Sequence, residues 1–300
     1  MWAYMREGVF PTVLSQGFAL VTGRKSRDEA YAAIRWRVNG QLQRKYAAFI
    51  QERKDFYGHQ KLNQYRSRKV WVCWLQGLDK APLLVKVCVA SMRRWLKERE
   101  IVLLTGDNYR EYAELPQSVV ERYEKGLMPA ALFSDLLRLE VLIRYGGTWM
   151  DATMLCTGED FPREIMDCDL FMFQGIVRGD NRFHGVSNWF ITACAENRLL
   201  LVLRDVLLEY WKDYSVTLNY YMFHDFFYTI AQLYPAEIAE MPRMNRLWPL
   251  QLMARMGDGF DNLWWEQLKA NTCFHKLNYR LSADVINNPK NFYNVIIHEG

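Results

Sequence analysis

The chain has 300 residues, 50% of them hydrophobic and 24% charged, enough apolar material for one large domain or two small ones. It has no run of about 18 or more apolar residues, which excludes a membrane-spanning helix from the expectation. The net charge of +4 conceals an asymmetry: residues 1–69 hold 14 Lys and Arg against 5 Asp and Glu, a net +9, and the remainder holds 24 against 29, a net −5.

A basic arm on a mildly acidic body suits an anionic surface partner for the arm. No nucleic-acid recognition motif accompanies it, so a nucleic-acid partner is not expected. The apolar run from Val9 to Val21 is interrupted by Pro11, Ser15 and Gln16 and ends without a small-residue cleavage site, a poor signal peptide. Cys73, Cys88, Cys156, Cys168, Cys194 and Cys273 show neither C-x-x-C pairing nor Cys/His ligand spacing. Reduced thiols, no zinc site and a cytoplasmic location are the expectation.

Ser26 followed by Glu29 has the form of a capping box. Beyond it Ala30, Ile34, Val38, Leu42, Tyr46, Phe49 and Ile50 repeat at helical spacing, with a break expected at Asn39-Gly40. Arg35, Arg37, Arg44, Lys45, Arg53 and Lys54 lie on its other faces. Two readings stand side by side for residues 26–54: a helix packed on the body with a solvated basic side, or a peripheral helix on anionic lipid at the inner membrane surface. Asp55 to Arg68 reads as a polar connector.

Val70 to Leu75 is a compact apolar run with β character, closed by Gln76-Gly77. A helix from Pro82 through Trp95 and a second strand at Ile101 to Leu104 follow, which implies a right-handed parallel crossover. Asp107, after that strand, reads as a turn residue.

The most informative stretch runs from Ala131 to Thr153, ALFSDLLRLEVLIRYGGTWMDAT. Its first part is a helix apolar nearly all round, hence buried, yet Ser134, Asp135 and Arg138 form one polar stripe on it. Buried charges need a partner. Asp135 and Arg138 either pair with each other or face a polar ligand. Tyr145-Gly146-Gly147 ends the helix, Thr148 to Met150 reads as a short strand, and Asp151 stands at its end. The return of the chain brings Asp151 toward Asp135 and Arg138, a setting suited to a nucleotide, a sugar or a divalent metal.

Further on, Leu170 to Gly175 reads as a strand, Ile176 to His184 as a charged loop, and Asn197 to Lys212 as a helix. His224 and Asp225 interrupt an aromatic run, either as a metal or phosphate contact or as a structural pair. Eleven Trp and seventeen Tyr offer flat faces for sugar rings, and fit a core equally well.

The pattern S-D-x-x-R followed by Y-G-G-x-W-x-D-A-T resembles glycosyltransferases of the capsular polysaccharide synthesis family, relatives of the D-x-D mannosyl and galactosyl transferases and, more remotely, of glucosylating bacterial toxins. The likeness covers about Lys69 to Arg280, and Phe274 to Arg280 is similar to the family's C-terminal basic segment. The resemblance implies an α/β fold of GT-A-like, Rossmann-type architecture over residues 69–300, preceded by a basic helical extension over 1–68. It implies transfer of a sugar from a nucleotide-sugar donor to a glycan or lipid-linked glycan acceptor, with retained anomeric configuration.

By the same resemblance, Asp151, Asp135 and Arg138 are the catalytic candidates. Trp74, Gln76, Ser134, Gly146, Gly147 and Lys276 are candidates to bind the donor, with Trp74 on the base and Lys276 at the diphosphate. A divalent metal, Mn²⁺ or Mg²⁺, is expected, with Asp151, Thr153, His224 and Asp225 as its candidate ligands. One departure stands out: the second Asp of D-x-D is Thr153, which offers only a hydroxyl. That departure and the basic arm favour a competing reading, a non-catalytic polysaccharide- or membrane-surface-binding protein on a decayed transferase fold. A D-x-D-x-T phosphatase fits poorly, since Asp151 has no second Asp at position 153.

Overall fold

The computed structural model describes residues 2–24, 26–159, 161–175 and 185–299. The expected loop at Ile176 to His184 lies outside the described residues.

The opening strands form as read. β1 (Lys69–Cys73), the helix Leu83–Trp95 and β2 (Glu100–Leu104) make a parallel crossover, with Val70 opposite Ile101 and Val72 opposite Leu103. The helix Ala130–Tyr145 then leads through Gly146 into β3 (Gly147–Met150), which lies parallel to β1 on its other side. β4 (Met154–Cys156), β5 (Leu170–Gln174) and β6 (Val186–Ala193) follow, and β7 (Phe274–Lys276) comes near the C-terminus. The main sheet runs β2-β1-β3-β6-β5, with β6 antiparallel to both neighbours. β4 and β7 form a separate two-stranded sheet. This is the expected α/β architecture with a helical arm in front of it.

Alternation along the strands divides the core. Trp71 and Trp149 point to one face, where the helices Ala130–Tyr145, Arg198–Asp213 and Met222–Ala231 pack. Val70, Val72 and Met150 point to the other, against Val85, Val89 and Met92 of the crossover helix and Phe274 of β7. A side chain period of two makes this division automatic once both faces are covered.

The arm contains one long helix, Arg27–Gly58, whose capping box forms: Ser26 Oγ accepts from Glu29 N at 3.2 Å, and Ser26 N donates to Glu29 Oε2 at 2.7 Å. It does not break at Asn39-Gly40. Asn39 is buried within the helix, on the stretch that carries Val38 and Leu42 into the core, so packing of this face holds the helix through the pair. Val38, Leu42, Tyr46 and Ile50 join the same core as the body helices. Several of the basic side chains serve this docking: Lys45 Nζ lies 3.0 Å from Asp213 Oδ2, and Arg53 Nε 2.7 Å from Asp205 Oδ2. Of the two readings of residues 26–54, these contacts are those of the packed helix. A second helix, Phe10–Val21, forms from the interrupted apolar run at 9–21.

Candidate active site

The carboxyl ends of β1 and β3 share one edge of the sheet, the usual place for a ligand in an open α/β fold. Asp151 is the first residue beyond β3. Its N–H donates to the Trp189 carbonyl at 2.9 Å, and its own carbonyl accepts from Met154 N at 2.9 Å, which fixes the turn. The chain then enters β4, and the β4–β7 register sets Met154 opposite Lys276. Lys276 Nζ is thereby brought to 3.4 Å from Asp151 Oδ2 and 2.6 Å from Thr153 Oγ1.

Asp135 and Arg138 come from the facing helix. Both are buried, at 7% and 5% exposed, so their partners matter. Arg138 Nη1 lies 3.3 Å from Asp135 Oδ1, and Nη2 lies 3.7 Å from Asp151 Oδ1. The guanidinium donates to the Asn188 carbonyl and stands 4.9 Å over the Trp149 ring. Asn188 Nδ2 returns a hydrogen bond of 2.9 Å to Asp135 Oδ1. Trp149 Nε1 donates to Asp151 Oδ1 at 3.1 Å. Asp151 is therefore bracketed by a guanidinium and an ammonium. Burial pushes the Asp135 carboxyl up to about 6; Arg138 opposes the rise and Asp151 adds to it.

A cavity of about 390 Å³ opens over Asp135, Arg138 and Asp151, walled by Asn188, Trp189, Tyr220, Tyr221, His224 and Arg246 among others. A larger depression of about 1090 Å³ lies between the arm and the body, around Tyr57, Glu140, Arg204 and Asp205. The smaller cavity is the stronger site candidate, because it contains Asp151 at the carboxyl end of β3, where open α/β folds bind their ligands.

The remaining sequence candidates divide. Trp74 and Gln76 leave β1 at the same sheet edge as Asp151. They do not line this cavity. Trp74 packs edge-on against Tyr279 at 5.2 Å, and its indole N–H is buried without a hydrogen-bond partner among the described residues. Ser134 acts on Arg138, with its carbonyl 3.4 Å from Nε and its hydroxyl 3.5 Å from Nη2.

Gly146 and Gly147 are corrected from donor contacts to backbone packing. They enter β3 at the end away from Asp151, with φ of 64° and 100°. A Cβ on Gly146 would stand 2.9 Å from Ala195 N, and one on Gly147 would overlap the Lys69 carbonyl. Only glycine fits both the backbone and the space.

The expected metal set does not assemble. Asp225 turns away from the cavity: Asn219 Nδ2 donates to it, and Arg35 Nη2 of the arm lies 3.8 Å from Oδ1. The Thr153 hydroxyl is taken by Lys276, and Asp151 already faces two cations. Of the four candidates only Asp151 and His224 line the cavity. Among the described residues no group of three or more His, Cys, Asp or Glu is placed to hold a metal ion. Of the expected ligands that leaves Asp151, already paired with cations, and His224, a poor donor set for a hard divalent ion.

Tyr220, Tyr221 and Arg246 are site residues that sequence reasoning did not single out. The aromatic run at 220–223 was the visible signal for two of them.

The family described as capsular polysaccharide synthesis protein matches residues 20–296. The chain belongs to this family. The capsular polysaccharide synthesis match takes in every residue of the cavity, the Lys276 strand and the long arm helix, and so reaches further N-terminally than the likeness read from about Lys69. Among curated proteins no sequence matches the chain. Of solved structures, one titled PaToxG Glycosyltransferase is similar at 11% identity, covering 87% of this chain and 97% of that one with a TM-score of 0.39. So distant a likeness says nothing about the activity of this chain.

Proposed function

We propose that the protein is a glycosyltransferase that moves a sugar from a nucleotide-sugar donor to a glycan or lipid-linked glycan acceptor in capsular or cell-surface polysaccharide synthesis. The observation that carries this reading is Asp151, held at the end of a parallel strand between Arg138 and Lys276 at the mouth of an aromatic-walled cavity. Family membership supports it.

Transfer breaks the bond between the anomeric carbon and the diphosphate, so negative charge grows on the leaving phosphate oxygen. A preorganised cation at that point lowers the barrier. Lys276 is the residue for this role. Asp151 accepts hydrogen bonds from sugar or ribose hydroxyls, and Arg138 holds Asp151 and Asp135 in register through charge-assisted bonds. Tyr220 and Tyr221 supply flat faces for a sugar ring. Trp74 is the candidate for the base, supported by its exit from β1 at the same sheet edge as Asp151 and by its unsatisfied indole N–H. Retention of configuration, with the leaving phosphate as base, rests on the family resemblance alone. Thr153, the feature that favours a non-catalytic protein, accepts a hydrogen bond from Lys276, which supports reading the two as one polar arrangement beside Asp151.

A panel of UDP-, GDP- and other nucleotide sugars, screened for protection against thermal unfolding, tests the reading, because a ligand bound only to the folded state raises its apparent stability. One nucleotide class is expected to raise the melting temperature in proportion to its concentration. No protection by any nucleotide sugar counts against the proposal.

A further inference from the structure

The helix Phe10–Val21 has the sequence FPTVLSQGFALV, with no charged residue in it, and none of its residues is buried. An apolar segment of about 10–14 residues is ordinarily a core helix, a signal-peptide core or a segment lying in a membrane interface, and the interruptions at Pro11, Ser15 and Gln16 make this one a poor signal peptide. The first role is closed to a helix with nothing buried. No helix among the described residues is long and apolar enough to cross a membrane.

One side of the helix faces the long arm helix, with Val13 packed against the core. The other presents Leu14, Phe18 and Val21, at 56%, 62% and 87% exposure. Their spacing of four and three residues puts them in one stripe. Arg24 stands with its guanidinium 5.9 Å from the Phe18 ring, and Arg27 follows at the start of the next helix; both are exposed. An apolar stripe with basic side chains beside it matches a bilayer surface, acyl chains under the stripe and anionic headgroups at the arginines.

We propose that the Phe10–Val21 helix docks the protein on an anionic lipid bilayer through Leu14, Phe18 and Val21, with Arg24 and Arg27 at the headgroups. A second copy of the chain fits this face less well, because two arms of net +9 would be brought together. The proposal differs from a lipid contact along residues 26–54, whose apolar side is already buried in the core. It does not depend on sugar transfer, and vesicle binding is read without turnover.

The test is co-sedimentation of the full chain with phosphatidylglycerol/phosphatidylcholine vesicles and with phosphatidylcholine vesicles. Wild type is expected to partition onto the anionic vesicles and to be partly released by salt. L14D/F18D is expected to lower partitioning on the order of tenfold or more, with an unchanged melting temperature because both side chains are exposed. R24E/R27E is expected to lower it on anionic vesicles alone. Failure of wild type to bind anionic vesicles, or undiminished binding by L14D/F18D, overturns the proposal. So does a dimer that L14D/F18D converts to monomer without any vesicle binding, which would give the face to a second copy.

Discussion

Lys276 Nζ lies 2.6 Å from Thr153 Oγ1 and 3.4 Å from Asp151 Oδ2, so one ammonium spans both polar positions of the D-A-T turn. The β4–β7 register puts it there. A tethered cation thus stands beside both Thr153 and Asp151.

The first prediction follows from that contact. Nucleoside diphosphate binding, measured by calorimetry, should change little when EDTA replaces Mn²⁺ or Mg²⁺. Lys276→Met should weaken it by about ten- to a hundredfold, the worth of one hydrogen bond to a charged group. Binding that EDTA abolishes and Mn²⁺ restores would contradict the lysine's role.

Arg138 is held by Asp135, Ser134 and the Asn188 carbonyl, a set that uses the planar fork of the guanidinium. Arg138→Lys keeps the charge and loses the fork. Denaturant unfolding should show a loss of about 2 kcal/mol, together with weaker donor binding through a misplaced Asp151. Unchanged stability would mean that the helix stripe is not the bracing pair described here.

Gly147 at φ 100° predicts a purely structural defect. Gly147→Ala should cost more than about 2 kcal/mol, since the backbone is strained and the Cβ meets the Lys69 carbonyl. A soluble Gly147→Ala protein with wild-type stability would refute the packing role.

The pH dependence of stability has a definite sign. Burial pushes the Asp225 carboxyl up to about 7, with Arg35 and Asn219 opposing the rise, against an ordinary value of 3.8. The folded state therefore holds a proton that the unfolded chain has lost. The stabilising contribution is complete below about pH 4 and disappears as the pH rises through about 7. Asp225→Asn should flatten the stability profile between about pH 4 and 8, as read from melting temperatures across that range. A profile as steep as that of wild type would contradict the assignment.

What was legible in the sequence was local or contiguous. The buried helix with its polar stripe, the short strand and Asp151 all lie within one stretch, the helix legible from spacing, the strand from its β-forming residues and Asp151 from its place at the strand end. The capping box at Ser26 formed for the same reason. Features set by distant partners were not legible. Asp225 carries the same carboxyl whether it faces a ligand or Arg35, and only the docking of the arm decides between them. Asn188 reaches Asp135 because β6 lies beside β3, a pairing that its sequence neighbours do not announce. Gly146-Gly147 signalled a turn correctly, but the close approach of the Lys69 and Ala195 backbones that demands glycine appears only in three dimensions. β4 and β7, at three residues each, are too short to show a period.

Donor turnover by Asp151→Asn tests the central claim most directly. Full-length wild type and variant would be incubated with the nucleotide sugar that gives the largest thermal protection, and the released nucleoside diphosphate measured. The account predicts release by wild type and a fall of about a hundredfold or more in the variant, the usual effect of removing one electrostatic contact at the reacting centre, with the melting temperature preserved. Wild-type release by a folded Asp151→Asn protein would contradict it.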